Sequence, residues 1–198
     1  MDFVPRLVLN ARATRALGPP GRGGRTPGRK KGQRRSWRLA EGRARETHAV
    51  REPEFITTAA RRFGSQCVVV SIDYKRGLSG NRVMAANGTS NTARDPLEWA
   101  REVEQRGAGE IFLTSIDRDG TGRGYDIDTL RAVVDAVRIP VIASGGVGEF
   151  QHLTDGIEKG GASAVSAANI FHYIGNGLVK AKQHMISKGA SVPMWNFW

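Results

Sequence analysis

The chain has 198 residues, of which 39% are hydrophobic and 25% charged, a length and composition that suit one ordinary globular domain. Its formal net charge of +11 is concentrated at one end, because residues 1–50 hold 13 Lys/Arg against 3 Asp/Glu while residues 51–198 hold 17 against 16. The single cysteine excludes an internal disulfide and favours a reducing compartment such as the cytoplasm. No apolar run approaches the roughly 20 residues of a bilayer-spanning helix, which excludes an integral membrane protein.

The N-terminal segment is dense in Gly, Pro and Arg between residues 17 and 45 and has no helical or strand period. Such a composition buries too little surface to offset the entropy of ordering, so we expect residues 1–46 to be disordered and residues 47–198 to form the folded domain. The basic charge could bind nucleic acid, but only Trp37 offers a stacking surface there. A nucleic-acid partner is therefore disfavoured.

From residue 47 onward, short apolar runs alternate with amphipathic stretches. The apolar runs predict strands at residues 67–72, 111–116, 141–143 and 164–168. The amphipathic stretches predict helices at residues 53–63, 95–106, 128–137, 150–159 and 178–187. Apolar runs without alternation are typical of strands buried on both faces, so the order predicts an α/β protein with a parallel sheet.

Polar residues follow the first two predicted strands. Asp73 comes directly after the first strand, where a carboxylate could act as a general acid or base; the alternative is a loop carboxylate paired with Lys75 or Arg76. Asp119 and Gly120 lie in a polar loop after the second strand that could bind a substrate hydroxyl, or be a mobile surface loop. No third ligand follows at a zinc-like spacing, so a metal is disfavoured.

Small residues follow the last two predicted strands. Ser144, Gly145 and Gly146 come after the third strand, and glycines there let backbone N–H groups approach an anion closely. Ala168 and Asn169 end the fourth strand. Two such loops after consecutive strands are typical of the phosphate site of TIM barrels, although a plain tight turn is the alternative.

Four motifs carry a resemblance to a known family: VVSID at residues 69–73, TSIDRDGT at 114–121, IPVIASGG at 139–146 and IFH at 170–172. Their series closely resembles the cyclase subunit of imidazole glycerol phosphate synthase, over residues 47 to about 189. The resemblance implies a TIM (β/α)₈-barrel type of fold, of which this chain holds only the C-terminal half, with about four β/α units.

The resemblance also implies a reaction and a partner. In histidine biosynthesis, ammonia from a glutaminase subunit cyclises a phosphoribulosyl ribonucleotide to imidazole glycerol phosphate and an aminoimidazole carboxamide ribonucleotide, with no cofactor or metal. Asp73 falls on the catalytic aspartate of the family. Glu110 falls on a charged ring at the bottom of the barrel, where ammonia enters.

The same resemblance assigns binding residues. Asp119 and Gly120 fall on the substrate loop of the family. One phosphate site takes Gly146, Ala168 and Asn169, beside Ser144 and Gly145. Thr47 matches a residue of the second phosphate site.

The chain departs from the family before Thr47, where the first four strands and a second catalytic aspartate are expected but only 46 residues stand. Glu46 replaces the asparagine expected beside Thr47. One hypothesis is that residues 1–46 are an out-of-frame or misassigned start on a cyclase gene. The other is a genuine half-barrel that pairs with itself or with another half, since half of a closed sheet leaves two unpaired edges.

Two further functions stay open. Residues 87–89, 96–99 and 193–198 look more like cyclase paralogues of surface-polysaccharide gene clusters, which supply ammonia for amidating a sugar. A non-catalytic half-barrel partner protein is the other alternative, because one catalytic carboxylate is absent. Nothing in this half decides between the substrates.

Overall fold

A seven-stranded sheet covered by helices forms the fold. The computed structural model describes residues 7–10, 47–168, 170–173 and 176–192. The strands are β1 (Leu7–Asn10), β2 (Val69–Gly77), β3 (Gly80–Ala85), β4 (Ser90–Asn91), β5 (Glu110–Ser115), β6 (Val141–Ser144) and β7 (Ala164–Ala167). The helices are α1 (Thr47–Arg51), α2 (Glu54–Phe63), α3 (Pro96–Gln105), α4 (Ile127–Ala136), α5 (Phe150–Glu158), α6 (Ile170–Tyr173) and α7 (Gly177–Ser187). Within these ranges, no helix has the length and apolar character needed to cross a membrane.

The centre of the sheet consists of β2, β5, β6 and β7, which are parallel and lie side by side in chain order. Because β-α-β crossovers are right-handed, this order places the connecting helices on one face of the sheet. A doubly wound sheet would instead reverse its strand order and carry helices on both faces. The structure thus confirms an α/β fold of consecutive β/α units, consistent with part of a TIM barrel.

The helices begin at residues that satisfy their first backbone N–H groups. The Asp95 carboxylate accepts hydrogen bonds from the amides of Leu97 and Glu98 at 2.8 and 3.3 Å, with Pro96 in the first turn of α3. The Asp126 carboxylate likewise accepts from the Thr129 amide at the start of α4. The core lies between these helices and one face of the sheet, and includes Val70, Ile72, Trp99, Val103, Ile111, Leu113, Val133, Val141, Leu153 and Val165.

The first predicted strand differs from the observed one. Cys67 lies in an exposed 3-10 turn (Ser65–Cys67), and β2 starts at Val69 and continues through Asp73 to Gly77. The prediction that Asp73 ends its strand, with a loop after it, was therefore wrong. Alternation explains the extension, because Tyr74 is buried on the helix side while Lys75 is exposed. An antiparallel hairpin with β3 and β4 follows, in place of the expected loop.

The edges of the parallel sheet also differ from expectation. β1 pairs antiparallel with β7, from Leu7 opposite Ala167 to Asn10 opposite Ala164. This strand lies inside the segment 1–46 that we expected to be disordered; the rest of that segment falls outside the described residues. β3 pairs with β2 from Asp73 onward. Among the described residues, the Val69–Ile72 stretch of β2 therefore has no neighbouring strand on the side opposite β5. Unpaired N–H and C=O groups at an edge favour such pairing.

Candidate active site

Polar side chains of neighbouring parallel strands lie in register near the carboxyl end of the sheet. Asp73 of β2 pairs with Thr114 of β5, and Thr114 pairs with Ser144 of β6. Ala143 pairs with Val165, so one residue further along Ser166 of β7 lies beside Ser144. Residues in register share a face of the sheet. We call Asp73, Thr114, Ser144 and Ser166 the polar row.

The polar row lies on the sheet face opposite the helices. The residues that precede its members, Ile72, Leu113, Ala143 and Val165, all belong to the core under the helices. Successive side chains point to opposite faces, so the row faces away from that core. In a TIM barrel this is the inner face, and its carboxyl end carries the active site.

The members of the polar row differ in exposure. Thr114, Ser144 and Ser166 are 2%, 5% and 1% exposed, whereas Asp73 is half-buried. The Ser71 hydroxyl donates a hydrogen bond to Asp73 Oδ1 at 3.2 Å, which fixes one carboxylate oxygen. The Asp73 carboxylate is thus the accessible titratable group at one end of a row of buried hydroxyls.

The loop after β5 packs against the loop after β6 beside the polar row. Gly145 and Gly146 adopt φ angles of 92° and 106°, a region that favours glycine. A Cβ atom on Gly145 would come within 2.6 Å of the Ser115 carbonyl oxygen and 3.5 Å of the Asp119 Cβ. The structure therefore brings exposed Asp119 next to the glycine pair, so the two predicted binding loops lie together.

His152 of α5 holds the second of these loops in place. The Gly148 amide donates to His152 Nδ1 at 3.1 Å, so Nδ1 is an acceptor and Nε2 carries the proton. The ring also lies against Gly124, where a Cβ atom would be 3.1 Å from His152 Cδ2. His152 therefore supports the loops that surround the site.

The hairpin after Asp73 is tied to the helix layer and to the loop after β5. The Tyr74 hydroxyl donates to Asp126 Oδ2 at 3.1 Å, and burial together with the Asp126 charge raises the pKa of this phenol. Asn81 Nδ2 donates to Thr129 Oγ1 at 2.7 Å. The Arg76 amide donates to Asp117 Oδ2 at 2.6 Å. These bonds fix the hairpin that follows the catalytic candidate Asp73.

Glu110 lies at the opposite end of the same sheet face. It starts β5 and pairs with Val69, which is four residues before Asp73 on β2. At a rise of about 3.3 Å per residue, the levels of Glu110 and Asp73 are ~13 Å apart along the strands. Glu110 is half-buried, and burial raises the pKa of its carboxyl group. The predicted ammonia-entrance residue and the predicted catalytic residue therefore share one face.

Residues 41–175, which are 135 of the 198 residues, match the sequence model of the family described as "Histidine biosynthesis protein". The chain belongs to this histidine biosynthesis family. The matched range contains β2 to β7 and the whole polar row, so the family relationship covers the candidate site as well as the fold.

The structure places some of the predicted site residues only in part. Gly120 is exposed with a φ angle of 76°, and Ala168 is half-buried directly after β7. Thr47 begins α1, but its side chain lies outside the described residues, as does Asn169. Within the described part of the chain, no cluster of three or more His, Cys, Asp or Glu side chains could hold a metal ion.

Sequence reasoning did not single out Thr114 or Ser166. Both are small polar residues inside apolar strands, and only strand pairing brings them beside Asp73 and Ser144. The available signal was alternation: each of these hydroxyl residues stands next to a helix-facing residue in its strand and therefore lies on the opposite face. That signal identifies a face, whereas the neighbour on that face depends on the register.

Proposed function

We propose that this histidine biosynthesis protein is the cyclase subunit of imidazole glycerol phosphate synthase, containing the C-terminal half of its barrel. It would use ammonia from a glutaminase partner to convert a phosphoribulosyl ribonucleotide into imidazole glycerol phosphate and an aminoimidazole carboxamide ribonucleotide. The observation that carries this proposal is the alignment of Asp73 with two hydroxyl side chains, Thr114 and Ser144, next to the loop Gly145–Gly146.

Asp73 is the acid/base group of the proposed reaction. As ammonia adds to the carbonyl carbon of the ribulosyl chain, Asp73 accepts a proton from the nitrogen. It passes that proton to the carbonyl-derived oxygen, which becomes a hydroxyl group; Asp73 then carries a second proton from the nitrogen to this hydroxyl, which leaves as water as the C–N double bond forms. Such a proton transfer contributes about 10²–10⁴-fold to a rate. The 3.2 Å hydrogen bond from Ser71 orients the carboxylate for both steps.

The glycine loop and Asp119 bind the substrate in this proposal. Gly145 and Gly146 carry no side chain that would stand between their backbone N–H groups and a phosphate. The adjacent Asp119 carboxylate accepts hydrogen bonds from ribose hydroxyls. Both groups follow the carboxyl ends of the strands, and a Cβ atom on Gly145 would be 3.5 Å from the Asp119 Cβ.

Glu110 supports the proposed glutaminase partner. It shares the inner face with Asp73 but lies at the amino end of the strands. Ammonia released by a glutaminase at that end would travel along this face for about 13 Å before it reaches Asp73. A closed inner face would keep the ammonia from bulk water.

The test is an ammonia-dependent assay of the full chain, alone and with an added segment that supplies four N-terminal β/α units of a cyclase. Product release from the ribonucleotide is followed by chromatography. We expect turnover in at least the second arm, and a loss of about 100-fold or more in kcat for Asp73→Asn. Asp135→Asn is the matched control, because Asp135 forms an exposed ion pair with Arg131 on α4.

Two outcomes would contradict the proposal. If Asp73→Asn is as active as the natural chain, Asp73 is not the acid/base group. If neither arm turns over the ribonucleotide, the cyclase assignment is wrong. If the ribonucleotide is not turned over but the chain supports glutamine-dependent amidation of a sugar, the result favours the polysaccharide paralogue. If the chain supports neither reaction, the result favours a non-catalytic partner protein.

A further inference from the structure

Ser166 carries a buried hydroxyl group that the fold does not satisfy. Among the described residues, three buried side-chain polar atoms have no hydrogen-bond partner: Trp99 Nε1, Thr154 Oγ1 and Ser166 Oγ. Trp99 and Thr154 belong to α3 and α5 and lie in the helix layer. Only Ser166 lies on the strand face that carries the candidate active site.

We propose that Ser166 is a specificity-determining residue, whose hydroxyl hydrogen-bonds a hydroxyl group of a polyol phosphate bound along the polar row. The inference rests on the proposed function, since it concerns the same site, and it names the substrate group that Ser166 recognises. That group is the hydroxyl next to the phosphate, because Ser166 lies beside Ser144, which directly precedes the glycine pair that binds phosphate in the proposed function.

The dimensions of the polar row fit an extended sugar phosphate. Neighbouring strands are about 4.8 Å apart, so the row from Asp73 to Ser166 spans ~14 Å across the sheet. The row is accessible at the Asp73 end, where the Asp73 side chain is half-buried. At its other end Ser166 is 1% exposed. A polyol chain placed along the row therefore meets a carboxylate at one end and a desolvated hydroxyl at the other.

Packing alone does not explain a serine at this position. Ala164 and Val165 precede Ser166 on the same strand and are 1% and 0% exposed, so apolar residues pack well there. The Ser166 carbonyl oxygen already accepts a hydrogen bond from the Tyr125 hydroxyl at 3.0 Å, which leaves the side chain as the unsatisfied group. A buried hydroxyl without a partner lowers stability, and its position on the face of the candidate site points to a ligand.

The experiment compares Ser166→Ala with Thr154→Val in the full chain. Each change removes one unpaired buried hydroxyl, but Thr154 is in the helix layer and serves as the matched control. The probes are imidazole glycerol phosphate, ribose 5-phosphate and inorganic phosphate, with Kd measured by calorimetry. Thermal unfolding of both variants checks that they fold, and neither should unfold below the natural chain.

We expect Ser166→Ala to raise Kd for the two polyol phosphates about 5- to 10-fold, the effect of one lost hydrogen bond. The Kd for inorganic phosphate should change less than about twofold, since the hydroxyl contact is absent from that probe. Thr154→Val should bind all three probes like the natural chain. In turnover, Ser166→Ala should raise KM and leave kcat nearly unchanged.

Equal binding of polyol phosphates by Ser166→Ala and the natural chain would overturn the inference, and so would binding of neither polyol phosphate by the natural chain. An equal loss of affinity for inorganic phosphate would also overturn it, because Ser166 would then act on the phosphate itself. Ser166-dependent binding without cyclase turnover supports the inference and contradicts the proposed function. Cyclase turnover that Ser166→Ala leaves unchanged contradicts the inference and supports the proposed function.

Discussion

The amide nitrogen of Gly124 donates a hydrogen bond to the carbonyl oxygen of Gly146 at 2.7 Å. This bond joins the loop after β5 to the loop after β6. The first loop carries Asp119 and the second carries the glycine pair, so their relative position is set by backbone contacts. A displacement of one loop would therefore displace the other.

Gly146→Ala is expected to destabilise the protein by about 2 kcal/mol or more. At a φ angle of 106°, an alanine is strained, and its methyl group would overlap the Gly124 carbonyl oxygen. Gly120→Ala is the matched control, since Gly120 has a φ angle of 76° but no atom within 4 Å of an added Cβ. Urea unfolding should give only ~1 kcal/mol for the control. Equal losses would show that backbone strain, and not the loop contact, determines the effect.

Asp117 and Asp119 are expected to have different roles. Asp117→Ala removes the acceptor of the Arg76 amide, which should cost ~1 kcal/mol of unfolding free energy and loosen the hairpin after β2. Asp119→Ala should cost less stability because Asp119 is exposed, yet reduce kcat/KM at least about 10-fold if its carboxylate binds substrate. Chemical unfolding and kinetics on both variants test this. The reverse assignment would follow if only Asp117→Ala impaired turnover of folded protein.

Tyr74→Phe is expected to cost about 1–2 kcal/mol at neutral pH, because Asp126 loses a buried hydrogen-bond donor. The variant should also show a shallower loss of stability in alkali. Burial raises the pKa of Tyr74 in the folded state, so its contribution is complete below the unfolded pKa of about 10 and is lost as the pH rises above it. Thermal melts between neutral and alkaline pH measure both effects. An unchanged alkaline slope would show that Tyr74 ionises as freely in the folded state as in the unfolded state.

Glu110→Gln is expected to stabilise the protein at neutral pH. Burial raises the pKa of this carboxyl group in the folded state. Its contribution to stability is therefore present below the unfolded pKa of about 4.3 and is lost as the pH rises through the folded pKa. The difference in melting temperature between the variant and the natural chain should shrink as the pH falls to about 4. A variant that is less stable at neutral pH would show that the charged carboxylate has a favourable partner.

Glu110→Gln also separates ammonia transfer from chemistry. In the proposed cyclase, the variant should retain activity with added ammonium salt and lose glutamine-dependent activity in the complex with a glutaminase. The comparison requires both assays on the same preparation. Equal losses in both assays would show that Glu110 acts on the reaction itself and not on ammonia transfer.

Local patterns in the sequence determined the β/α units of this protein. The helices predicted at residues 95–106 and 128–137 are observed at Pro96–Gln105 and Ile127–Ala136, because their apolar spacing and capping carboxylates are local features. The predicted strand at residues 111–116 is observed at Glu110–Ser115, because its run of apolar residues is also a local feature. The family motifs made Asp73 a candidate catalytic residue, and the matched range of the histidine biosynthesis family contains it.

Only the tertiary structure decided which polar residues meet. Alternation along a strand assigns Thr114 and Ser166 to a face, but the inter-strand register places them with Asp73 and Ser144. The same is true of the hairpin after Asp73 and of β1 on the edge of β7, which both depend on hydrogen bonds between distant segments. Periodicity is a property of a few adjacent residues, whereas register is fixed by backbone pairing and packing across the whole sheet.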